Sequence, residues 1–305
     1  MNRKERRATK TGKAIGTLAP LATGSTDDLR VSRAAAGQLL EVHLAHGISL
    51  LDQGEPEQAE ASFRRALAIG PHPVATMNLG IALALQDKHA EAMTEFQHAV
   101  TLDPRSAIAL TNLARASLMD GDVGQALEMV WRALAIEETD DAKVLFIECL
   151  RQIKFTVDAP ELRGLVARAV SECWQRLDDF SRAATDLTKV CSPLAAAVAR
   201  VAAAWPQRLV GEELWAATEQ VAICADPLLH ALLISAPLCD IGIERYLTSV
   251  RSSLLRDAIA SDSEVALPLL EFYCALARQC FITEYVWDCD AAELERVEGL
   301  QRSVS

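Results

Sequence analysis

A chain of 305 residues that is half apolar and 24% charged has enough hydrophobic material to fold over most of its length as one or two domains. Aromatic residues make up only 5%, Ala and Leu dominate, and no sustained run alternates β-branched residues, all of which favours an all-α protein. The net charge of −12 argues against a nucleic-acid groove along the body of the chain.

The first 13 residues, MNRKERRATKTGK, hold six basic groups and one acid, a local +5 that leaves −17 on the rest. Such a tip can touch RNA or an anionic surface, but a solvated arm is the preferred reading, and residues 1–30 are expected to be a disordered basic arm. MNRKERR also resembles the start of many bacterial cytoplasmic proteins. The run AIGTLAPLATGS that follows is broken by Gly16, Thr17 and Pro20 and leads to no A-x-A site, so it reads as a linker rather than a secretory signal. No apolar stretch reaches the length of a membrane span; AAAVARVAAAW at 195–205 is short and contains Arg200. A soluble, cytoplasmic chain with no membrane or nucleic-acid partner is the expectation.

Residues 31–39 begin a capping helix. From about residue 40 the chain repeats itself. Gly47, Ala59, Phe63, Ala66 and Pro71 return 33 residues later as Gly80, Ala92, Phe96, Ala99 and Pro104. At a spacing of 34, Asn78 and Leu79 return as Asn112 and Leu113, and Ala92 and Ala99 as Ala126 and Ala133. Self-similarity at this period marks stacked helix pairs, because one pair cannot bury its own apolar side. The small residues belong where helices approach most closely, Phe63, Phe96 and Val130 fill the space beside them, and Pro71 and Pro104 end the second helices.

The pattern A-x-x-x-F-x-x-A-x-x-x-x-P at 59–71 and 92–104, with NLG at 78–80, resembles the tetratricopeptide repeat. The resemblance covers 40–137 and implies a right-handed all-α solenoid. The third copy departs from it, with Val130 in place of the aromatic residue and Glu138 in place of the proline. DAKVLFIECLRQI (141–153) reads as the first helix of a fourth, degenerate copy, so the solenoid is assigned to 31–153.

KFTVDAPE (154–161) is a break, with Asp158 as a cap and Pro160 at a helix start. A helical domain over 154–305 follows, with helices near 161–176, 178–190, 193–204, 211–224, 227–235, 240–259, 264–288 and 291–302. It holds seven of the eight cysteines, the eighth, Cys149, lying just before it; none form a C-x-x-C pair, and buried free thiols are expected. LPLLEFYCALARQCFITEYVW (267–287) is apolar on more than one side, the mark of a core helix or of a partner-binding one. This region, over about 155–300, also resembles the stretch that joins tetratricopeptide repeats to a C-terminal methyltransferase domain in certain bacterial proteins. The resemblance implies a substrate-recruiting segment whose catalytic domain is separate or missing.

No catalytic constellation is legible. The 14 glycines include no G-x-G turn of the kind a methyltransferase cofactor needs, and there is no phosphate loop, so no cofactor is expected. His43 and His46 lie three apart on the first repeat helix but fall at packing positions, and His230 has no recognised ligand spacing to Cys224 or Cys239, so no metal is expected. Cys280 sits in an apolar run where burial quenches a thiol.

What remains is adhesion. By repeat geometry the first helices of the repeats form a concave groove displaying Leu44, Ile48 and Asp52, then Met77, Asn78, Ile81 and Leu85, then Thr111, Asn112, Arg115 and Met119. In related solenoids asparagines at the positions of Asn78 and Asn112 bond an extended peptide, a task suited to an amide that both donates and accepts. Ala45 breaks that ladder in the first copy. The expected function is a non-enzymatic scaffold for a peptide or helix of a partner protein. The alternatives are a methyltransferase-associated segment, a chaperone-like role for the C-terminal helices, and a groove filled by the chain's own helices.

Overall fold

In the computed structural model the described residues are 26–260, 267–283 and 289–304, and all their regular structure is helical. The expected basic arm therefore lies outside the described residues as far as residue 25, but its last five residues do not. They are the start of a single helix, α1, over Thr26–Asp52, which absorbs both the capping segment and the first repeat helix. Ala34, Ala35 and Ala36 carry strong helix propensity within it.

The chain divides into two compact units, one ending at Lys88 and one running from His89 to Ser305, so the division falls inside the second repeat. In the first unit α1 packs on α2 (Pro56–Ile69) and α2 on α3 (Pro73–Ala84). Pro56 and Pro73 open their helices, where a missing N–H is no loss. Ala59, Phe63 and Ala66 are fully buried. The ring of Phe63 lies against Gly47: a Cβ there would stand 2.4 Å from its Cε1, so only glycine permits the approach.

In the second unit the helices are α4 (His89–Leu102), α5 (Ala107–Met119), α6 (Val123–Ile136), α7 (Asp140–Gln152), α8 (Pro160–Ser171), α9 (Ser181–Lys189), α10 (Ser192–Ala204), α11 (Ala217–Cys224), α12 (Pro227–Ser235), α13 (Ile241–Ala260), α14 (Leu267–Ile282) and α15 (Ala291–Val304). Helices α4 to α7 pack in sequence, with Ala92, Phe96, Ala99, Ala126, Val130 and Ala133 all buried as their repeat positions require.

The turn inside each repeat is the same motif three times. Glu55 N donates to Leu50 O at 2.9 Å, Lys88 N to Leu83 O at 3.0 Å and Asp122 N to Ser117 O at 2.9 Å. Each closure requires a left-handed residue, supplied by Gly54 (φ 75°), Asp87 (φ 61°) and Gly121 (φ 87°). Side-chain caps start the following first helices: Ser106 accepts from Ala109 N at 3.2 Å and Thr139 from Ala142 N at 3.2 Å.

From α8 onward the packing changes character. Arg163, 8% exposed, donates to Leu187 O at 2.8 Å and pairs with Asp226, which also accepts from Leu229 N at 2.8 Å to cap α12. One guanidinium thus ties α8, α9 and α12 together. Asp158 does not cap α8, as the sequence suggested; it faces Arg163 at 3.4 Å. Glu138, standing where the repeat proline is absent, takes a two-point bond from Arg168 at 2.7 and 3.0 Å, which ties the third repeat to α8.

Candidate functional site

On the first unit, the predicted face is only partly displayed. Leu44 is buried, because it shares the side of α1 that carries Leu40 and Gly47 against α2; it is not open to a ligand. Ile48 is 38% exposed, Leu85 61% exposed and Asp52 exposed, while Met77, Asn78 and Ile81 are half-buried. Asn78 commits one amide hydrogen to Val74 O at 2.8 Å within its own helix. His43 and His46 do not face each other as ligands: His46 Nδ1 lies 3.0 Å from Ser62 Oγ. His72 caps α3, accepting from Ala75 N at 3.3 Å.

On the second unit, α5 presents Asn112, half-buried, Arg115, which meets Asp141 on α7 at 3.8 Å, and Met119, 66% exposed. Thr111 is instead buried and donates back to Ala107 O at 2.9 Å, so it leaves the face. The arrangement thus offers two sets on two units: Ile48, Met77, Asn78, Ile81 and Leu85 on one, and Asn112, Arg115 and Met119 on the other. Arg115 and Asp141 are exposed enough for water to screen them, so the arginine can exchange that partner for a ligand carboxylate at little cost.

A second concavity was not anticipated from the sequence. A hollow of about 700 Å³ lies between α8 and α12, lined among others by Arg168, Glu172, Cys224, His230 and Ile234. Beside it a hollow of about 420 Å³ is lined by His230, Ile234, Leu270, Glu271, Cys274, Ala275 and Arg278. Arg168 lies 5.6 Å and Lys143 5.0 Å from the ring centroid of Trp174, which itself meets Phe146 edge-on at 6.0 Å. Bonds to Arg168 hold the Glu138 and Glu172 carboxyls below the usual carboxylate range. The Glu138–Arg168 pair is thus engaged in tying the third repeat to α8, while Glu172 pairs with Arg168 at the end of the same helix. The signal in the sequence was the apolar run at 267–287, whose outward residues recur at spacings of four, three and four. Its residues 284–287 lie outside the described residues.

The thiols divide. Cys149, Cys224 and Cys280 are buried and Cys191 half-buried, but Cys173, Cys239, Cys274 and Cys289 are exposed, so the expectation of uniformly buried cysteines holds for fewer than half. Burial pushes Cys149 and Cys224 up to about 12 and raises Cys280 as well, which leaves these three un-ionised at neutral pH. Among the described residues no three His, Cys, Asp or Glu side chains converge as metal ligands do, and no single helix is long and apolar enough to cross a membrane.

Comparison with known proteins locates the repeat. The tetratricopeptide repeat family model matches residues 44–107, about a fifth of the chain. One solved structure that aligns with the chain is the TPR2AB-domain:pHSP90 complex of yeast Sti1, 15% identical, with 81% of this chain and 93% of that chain covered at a TM-score of 0.36. No curated protein matches. The described fold is all-α, and over 44–107 it carries the tetratricopeptide type of helix pair. The resemblance of 155–300 to methyltransferase-linked helical regions gains no support from these comparisons.

Proposed function

We propose that this chain is a non-catalytic protein-interaction scaffold of the cytoplasm, which holds a peptide or helix of a partner protein on the first helices of its repeats. The observation that carries the reading is the tetratricopeptide match over 44–107, together with large apolar side chains left in water beside amides and an exchangeable arginine at the predicted positions. Leu85 and Met119 supply adaptable apolar contact, Asn78 and Asn112 supply amides for a peptide backbone, and Arg115 supplies a cation for an acidic group. Apolar burial drives such binding and the few polar anchors set its direction.

The test is a peptide array probed with the full chain and with an Asn78→Ala/Asn112→Ala variant. Losing two hydrogen bonds of about 1 kcal/mol each weakens capture by roughly tenfold or more. Undiminished capture by the double variant removes the asparagines from the account, and undiminished capture by Leu85→Asp and Met119→Asp removes the repeat faces altogether.

A further inference from the structure

Helix α14 has two apolar faces. Phe272, Ala275, Leu276 and Cys280 are buried within the unit. On the opposite side Leu270 (47% exposed), Cys274, Ala277 and Phe281 (71% exposed) form a second stripe, brought into line by spacings of four, three and four residues. A phenylalanine standing this far into water at the end of an apolar stripe marks an interaction surface. Beside the stripe lies the 420 Å³ hollow, walled by His230 and Ile234 of α12 and by Leu270 and Cys274. The surface therefore holds both a knob and a hole.

Its charges identify the occupant. Glu271 and Arg278, both exposed, stand seven residues apart on one flank of the stripe and both line the hollow. We propose that α14 is a homodimer interface in which two copies pair antiparallel about a two-fold axis, Phe281 of each seating in the hollow beside Leu270 of the other. The register that sets Cys274 against Ala277 of the second copy sets Leu270 against Phe281, so a larger side chain meets a smaller or a pocketed one in each layer. In an antiparallel pair the same flanks face each other across the seam. Glu271 then lies within about 3 Å along the axis of the level of Arg278 in the second copy, given a rise of 1.5 Å per residue, and symmetry repeats the pair. In a parallel pair these flanks fall on opposite sides of the seam and the charges never meet. Self-complementarity of this kind is what an isologous contact requires.

Sedimentation of the full chain over micromolar concentrations tests this. The wild type is expected to sediment as a dimer. Phe281→Asp weakens self-association by about thirtyfold or more. Glu271→Arg or Arg278→Glu alone weakens it by about tenfold, and the two reversals on one chain restore it. The reversals are surface changes, so they decide the matter even if Phe281→Asp perturbs folding, which circular dichroism reports. A short bismaleimide joins two wild-type chains and fails with Cys274→Ser. A chain that stays monomeric throughout, including one that instead retains a different protein through Phe281, overturns the proposal. So does a double reversal that fails to recover association.

Discussion

Phe63 and Arg163 organise their surroundings by opposite means. In the first unit a fully buried ring lies on a glycine, and the helices are held by shape. In the second unit beyond α7, a nearly buried guanidinium reaches a carbonyl, a helix-capping aspartate and a second aspartate on neighbouring segments. The first arrangement is periodic and repeats wherever the residues repeat. The second is particular: it depends on charges that meet only after α8, α9 and α12 are in place. Repeat packing tolerates the loss of a polar group on its surface, whereas the polar junction is exposed to the loss of one atom.

The contrast can be broken from either side. The largest effect is expected from Phe63→Ala, which removes a fully buried ring and leaves a cavity beside Gly47, for about 3–5 kcal/mol in a urea melt. Arg163→Met should follow at about 3 kcal/mol, because Asp226 and the Leu187 carbonyl are then left buried without their donor. Asp226→Asn made in the Arg163→Met background should recover part of that loss, which a shape-based contact would not allow. Gly47→Ala should cost about 1–3 kcal/mol by overpacking against the ring, and much less in a Phe63→Leu background. Equal costs in both backgrounds would show that the ring is not what forbids a side chain there.

Smaller effects sharpen the picture. Gly121→Ala places a β-carbon on a left-handed residue and should cost about 1–2 kcal/mol. Asp87 already bears such a side chain at the equivalent turn, so Asp87→Ala should change stability less. The smallest effect is a pH dependence. Burial drives the Glu60 carboxyl upward, but bonds from Lys88 at 3.0 Å and Gln86 at 2.8 Å, with the charge of Arg64, outweigh it and hold it below its ordinary value. A depressed carboxyl stabilises the fold at all pH values above its unfolded value, and that stability is lost as pH falls through the folded one. Melts between neutral and acid pH should show a loss over that range that Glu60→Gln does not share.

How far the sequence reached differs between the same two regions. Gly47, Ala59, Phe63 and Ala66, with their counterparts near residues 92–99 and 126–133, were legible because each contact recurs at a fixed period, and a local rule then fixes both helix and packing. Pro160 as a helix start was legible for the same local reason. Asp158 was misread as a cap, because nothing near it in sequence shows that Arg163 turns towards it. Leu44 and Thr111 were assigned to a ligand face on period alone, although each sits on the buried side of its helix. The hollows beside His230 were invisible, since their walls come from segments up to a hundred residues apart.

The spacing of small and large residues by itself determined that this chain builds repeated helix pairs, because close packing of a helix on its neighbour is dictated by side-chain size at i and i+4 positions. Tertiary structure alone decided that Arg163 meets Asp226, that Glu138 reaches Arg168, and that one apolar stripe of α14 is left facing water. Those outcomes depend on which distant surfaces come together, and a carboxylate or a phenylalanine carries the same chemistry in the sequence whichever partner it meets.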